Sequence, residues 1–173
     1  MKNLFKATAI TLVLSLLLSN AAVVSAASDD ASYFGGTVVA FKDAKKEVKG
    51  RLVVTDETNL QFLYGKNNSE VLTILYSSFL DMEYGQKSGR RVGAAIATTL
   101  LLSPVGLLLL FSKKQDHFLT LGFKDSDGKE QVAIFKLNKN MVRTSLPILE
   151  ARSGKKVEYQ SKGAEKKATG KSD

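Results

Sequence analysis

Between Val92 and Phe111 the chain carries 20 consecutive residues without a charge. An α-helix rises about 1.5 Å per residue, so such a run reaches about 30 Å, the thickness of a bilayer's hydrocarbon core. Bases flank it on both sides: Lys87, Arg90 and Arg91 before, Lys113 and Lys114 after. The side chains that suit lipid are Val92, Ile96, Leu100, Leu101, Leu102, Leu107, Leu108, Leu109, Leu110 and Phe111, with Pro104 in their midst. Three arrangements compete. A single spanning helix would put the chain up to Gly89 on one side and Lys113 to Asp173 on the other, with the basic tail inside. A helical hairpin would turn at Ser103-Pro104-Val105-Gly106, because Pro104 lacks an amide donor and disfavours helical geometry at Ser103. Each arm would then be about 15 Å long, half the hydrocarbon depth. The third arrangement is an apolar insertion buried against protein or in an oligomer interface, where Gly93-Ala94-Ala95-Ile96-Ala97 permits close helix contact. The hairpin is preferred. It returns both basic ends to one headgroup surface and keeps the flanking β patterns in one domain.

The N-terminus sets the side from which that run meets a membrane. Lys2 and Lys6 precede an apolar stretch rich in Leu, which ends at Val24-Ser25-Ala26. A basic start, an apolar middle and a small-residue exit predict a signal peptide over residues 1–26. The expected location is therefore extracytoplasmic: membrane-associated, periplasmic or secreted. No Cys follows the stretch, which excludes a bacterial lipoprotein anchor. An uncleaved anchor is disfavoured because residues 7–24 fall short of the about 20 that a span needs. The absence of Cys also excludes disulfides, thiolate metal sites and thiol nucleophiles. The net charge is +8, and half of it sits in the tail from Ala151, with seven Lys or Arg against three Asp or Glu. A basic exported surface favours anionic lipid or wall polymer. Export, and the lack of any recognition motif, argue against nucleic acid.

The remaining chain reads as β structure. Short strands are predicted at Thr37–Phe41, Arg51–Thr55, Leu60–Tyr64, Val71–Tyr76 and Phe79–Tyr84 from period-two alternation between turn residues. In the fifth, Phe79, Asp81 and Glu83 should oppose Leu80, Met82 and Tyr84. After the apolar run, Phe118–Phe123 and Gln131–Phe135 flank Asp125-Ser126-Asp127-Gly128, a hairpin turn in which Gly supplies the positive φ. A helix should start near Asn140, capped by Asn138 or Asn140, with Met141, Val142, Leu146 and Leu149 as its apolar stripe. Pro147 should kink it and Gly154 end it. Residues 160–173 have no apolar pattern and are expected to be a disordered basic tail.

This order resembles the pleckstrin-homology-like (PH-like) superfamily, most closely its GRAM-type and bacterial branches. The resemblance rests on Gly50-Arg51-Leu52-Val53-Val54-Thr55-Asp56, Leu60-Gln61-Phe62, the run Ile74 to Tyr84, and the closing strand pair and helix. It covers residues 36–154, less an insertion at 90–114. It implies a mainly β fold with one C-terminal helix: a seven-stranded half-barrel capped by the helix and interrupted by the apolar helical insertion. It also implies headgroup contacts from the first inter-strand loop, here Lys42, Lys45, Lys46 and Lys49, with Arg51 just after. Asp43 and Glu47 are interleaved with these bases.

Nothing in the sequence assembles an active site. The one His, His117, stands at a strand start beside Asp116. Ser77-Ser78 has no partner base, and Asp81 with Glu83 reads as a solvated face. Asp125-x-Asp127-Gly128 lacks the further ligands of a calcium loop. No catalytic residue, metal or cofactor is expected. The expected function is a non-enzymatic exported binding or scaffolding module at a membrane surface, with anionic lipid, a protein partner or a second copy as partners. The alternative is a soluble protein that self-associates through residues 92–111.

Overall fold

A computed structural model describes residues 28–44, 46–86 and 116–170. One sheet is built from β1 (Ser28–Gly36), β2 (Val48–Val53), β3 (Asn59–Tyr64), β4 (Glu70–Leu75), β5 (Phe79–Gly85), β6 (His117–Lys124), β7 (Glu130–Leu137) and β8 (Val157–Tyr159). Helix α1 (Lys139–Ser153) precedes β8 and helix α2 (Lys162–Thr169) follows it. The spatial order is β4-β3-β2-β1-β7-β6-β5-β8. Among the described strands only β5 and β8 run parallel. The sheet is not closed, and β4 and β8 are its edges. The chain is thus mainly β with a helix after the last hairpin, as its pattern predicts. The signal peptide expected at 1–26 and the insertion expected at 90–114 lie outside the described residues.

Several local expectations are corrected. Thr37–Phe41 is not the first strand: β1 lies upstream, and Val39–Phe41 is a 3₁₀ turn. The reason is a close crossing at Gly36, whose φ is +136°. A Cβ there would stand 2.0 Å from the Val132 carbonyl oxygen, so only glycine fits. Beyond it the Thr37 N–H donates to Val132 O at 2.9 Å and the chain leaves the sheet. Among the described residues there are eight strands rather than seven, and two C-terminal helices rather than one. The fold therefore extends beyond residues 36–154 at both ends. The tail expected to be disordered contains α2, capped by the Ser161 hydroxyl accepting from Ala164 N, with Ala164 and Ala168 buried.

On β5 the register slips between Phe79 and Asp81. This bulge puts Phe79 on the core side with Met82 and Tyr84, not with Asp81 and Glu83. Nor is the other face solvated there, since Glu83 is only 5% exposed.

Helix α1 follows its predicted limits. The Asn138 side chain accepts from Asn140 N, and Gly154 ends the helix in the left-handed region. Met141, Val142, Leu146 and Leu149 are buried. Pro147, where a kink is expected, is exposed and lies inside one continuous helix.

The main core fills one side of the sheet, where Leu52, Phe62, Leu119, Leu121 and Phe135 meet α1. Each such side chain contributes about 1.5–3 kcal/mol by burial. A second cluster, Phe118, Val132 and Ile134 with Phe34 against it, lies on the opposite side of β6, β7 and β1. Near the end of α1 the Arg152 guanidinium donates to three successive carbonyls, Val54 O, Thr55 O (3.2 Å) and Asp56 O (2.5 Å). It also lies 5.7 Å from the Tyr76 ring centroid. One side chain thus ties the helix to the β2–β3 connection.

Arg152→Met keeps the stem and removes every donor. It should destabilise the fold by about 2–3 kcal/mol, because the carbonyls lose a charged donor. Urea unfolding against the parent chain measures this. A loss below about 0.5 kcal/mol would show that the clamp holds nothing.

Candidate functional site

A cluster of charged side chains faces a concavity on β1, β2 and β7. Along β2, Lys49 and Arg51 alternate with Gly50 and Leu52, so both project away from the core. Register brings further groups beside them. Ser32 of β1 stands opposite Lys49 on one side and Lys136 of β7 on the other, and Asp30 stands opposite Arg51. These residues line a cleft of about 590 Å³, which Asn68 and Asn138 also border. Asn68 reaches it from the β3–β4 turn, where Asn67 and Asn68 both hold positive φ, 58° and 56°. Asn tolerates that region better than most residues. The Lys136 ammonium lies 3.1 Å from the Asp116 carboxylate, which holds it over the sheet.

Of the five residues expected at a headgroup site, Lys49 and Arg51 come together at this cleft. Lys42 and Lys46 are exposed in the preceding connection and do not line it, and Lys45 lies outside the described residues. Lys136, Ser32 and Asn68 were not found from sequence. They arrive from other strands and a turn, and only the pairing register unites them. The cleft thus combines ammonium and guanidinium groups, amides and a hydroxyl, which can donate to an anion such as a phosphate, with the Asp30 carboxylate opposite Arg51.

The cleft also has a position relative to the apolar run. Gly85, Phe118, Lys136, Ser32 and Lys49 form one row across five strands. Gly85 ends β5 and Phe118 is the second residue of β6. The cations therefore sit at the end of the sheet where the chain leaves for, and returns from, residues 87–115.

The other candidate groups are used structurally. The Tyr84 hydroxyl lies 2.5 Å from His117 Nδ1. Burial pushes the Tyr84 phenol up to about 12, so it keeps its proton at neutral pH. Burial, then Lys167 and Lys139, lower the His117 pKa, and Asp116 opposes them. The Asp125 carboxylate accepts from Gln131 Nε2, Lys129 N and Asp127 N, and these bonds hold it below the usual carboxylate range. The Ser78 hydroxyl donates to Leu75 O. Among the described residues no three His, Cys, Asp or Glu side chains are placed to hold a metal, and no helix is long and apolar enough to cross a membrane. Comparison with protein-family models and with curated proteins gives no match to this sequence.

With a single His, the chain gives one imidazole signal to follow by NMR. It should titrate below the ordinary value of about 6.5. A depressed pKa means that the unfolded chain takes the proton first. Stability is then full above about pH 6.5 and falls as pH drops through the folded pKa. Lys167→Gln removes a cation that lowers that pKa and should raise it toward its ordinary value. An unchanged titration in this variant would show that Lys167 does not act on the imidazole.

Proposed function

We propose that the chain is a non-enzymatic, exported binding or scaffolding module of the PH-like kind, held at a membrane surface. In this reading Val92–Phe111 seats in lipid and the cleft at Lys49, Arg51 and Lys136 meets anionic headgroup phosphates. The observation that carries it is the shared sheet end. The apolar run departs and returns where the cations line up, so lipid contact by one brings the other to headgroup depth. The open β-sheet, with α1 packed on its core face, supports the PH-like reading. The interleaved acids of the Lys42–Lys49 connection favour Lys49 and Arg51 over the rest of that loop as lipid contacts.

Basic side chains near an anionic surface contribute about 1 kcal/mol each. Lys49→Gln with Arg51→Gln should therefore weaken flotation of the full chain with phosphatidylglycerol-containing vesicles about thirtyfold. Binding to neutral phosphatidylcholine vesicles, which measures the apolar contribution, should not change. Added salt should narrow the difference between parent and variant. Equal flotation of parent and variant on anionic vesicles would remove the cleft from the proposal. Absence of parent binding to either vesicle would remove the membrane.

A further inference from the structure

Strand β4 is an edge of the sheet, paired only to β3. Among the described residues no other backbone pairs with its outer side. Natural edges are blunted by Lys, Pro, a bulge or shortness, because an open row of N–H and C=O groups recruits another strand. β4 has none of these. It runs Glu-Val-Leu-Thr-Ile-Leu over six residues, its only charge is at the first position, and its register with β3 is unbroken. The other edge, β8, is three residues long. The exposed large apolar side chains among the described residues are Val39, Val71 and Leu75, at 65%, 52% and 53%. Two of them stand on the solvent face of β4 with Thr73 between them. Val39 and Leu75 border a groove of about 730 Å³ that opens along the same strand.

We propose that β4 is a dimerisation edge, at which two copies pair antiparallel about a two-fold axis at Thr73. The sequence favours a second copy over an unrelated strand because it is nearly palindromic there. Pairing about Thr73 sets Val71 opposite the partner's Leu75, and Leu72 opposite the partner's Ile74. Cross-strand pairs of this kind, repeated on both sides of the axis, are the unit of sheet stabilisation. Charge agrees. The two Glu70 carboxylates fall at opposite ends of the pairing, six residues or about 20 Å apart along the strand, well beyond the screening length. A two-fold contact uses both β4 edges and closes at two copies. The inference goes beyond the membrane reading and does not depend on it.

The chain contains no Cys, so a single introduced thiol can form a disulfide only between molecules. Residues opposed across an antiparallel pair have Cα atoms about 4.5–5.5 Å apart, within disulfide range. Full-length Thr73→Cys, oxidised mildly in whole-cell lysate and run on a non-reducing gel, should dimerise at least about tenfold faster than Lys129→Cys on the exposed β6–β7 turn. Val71→Cys and Leu75→Cys should each stay monomeric alone and cross-link when co-expressed. Thr73→Lys, which sets two ammonium groups on the axis, should abolish dimers trapped in the parent by an amine-independent cross-linker. Equal rates for Thr73→Cys and Lys129→Cys would overturn the proposal. So would Val71→Cys alone cross-linking as well as the mixed pair, or Thr73→Cys joining mainly to a chain of another mass. Because the readout is covalent and independent of lipid binding, its failure is distinct from failure of the vesicle experiment.

Discussion

The contact between Phe62 and Phe135, with ring centroids 5.3 Å apart, governs the shape of the molecule. These rings belong to β3 and β7, which are separated by β2 and β1 in the sheet. Three strand steps in a flat sheet cover about 14 Å. Side chains from such strands meet at 5.3 Å only if the sheet curls so that its inner face becomes a trough. Phe41, carried in by the 3₁₀ turn after β1, fills the trough at 4.3 Å from Tyr33 and 4.8 Å from Tyr64. Burial of aromatic area therefore drives the curvature, and α1 lies on the core that the curvature creates. The Arg152 clamp then fixes that helix to the β2–β3 connection.

The outer face follows from the same curl. It is apolar at Phe118, Val132, Ile134 and Phe34, and basic at Lys49, Arg51 and Lys136. Lys136 and Ile134 are two residues apart on β7 and so share a face, which places the two patches side by side. A sheet with both faces partly apolar reads in sequence as nearly continuous hydrophobic strands rather than alternation. This is how Phe118-Leu119-Thr120-Leu121 and Val132-Ala133-Ile134-Phe135 appear.

That distinction explains what was legible. β2 to β7 and α1 carry their own signals: alternation or a near-continuous apolar run, a Gly turn with positive φ, an Asn cap and an apolar stripe. β1 carries none. Ser28-Asp29-Asp30-Ala31-Ser32 has poor strand propensity, and the segment is extended because β2 and β7 offer it partners on both sides. The bulge at Leu80 is equally silent, since a one-residue slip leaves the composition of a strand unchanged. In the cleft, Lys49 and Arg51 were visible because they close the basic first inter-strand connection that the PH-like resemblance singles out. Lys136 is 85 residues beyond Arg51 in sequence and joins it only through the β1–β7 register, which no local pattern encodes.

The tail shows the opposite error, where composition misleads. Lys162 to Thr169 has no residue larger than Ala to bury, and so looks unable to pack. Yet Ala164 and Ala168 are four apart and share a face, while Lys166 and Lys167 lie exposed. Small side chains let a helix backbone approach a surface closely, which yields contact without large apolar groups. This helix packs against β8, which pairs in parallel with β5, so the chain invests its last elements in one edge of the sheet. Among the described residues the other edge receives nothing comparable. An asymmetry of this kind, with one edge short and flanked by a helix and the other six residues long and nearly uncharged, directs any further strand pairing to β4.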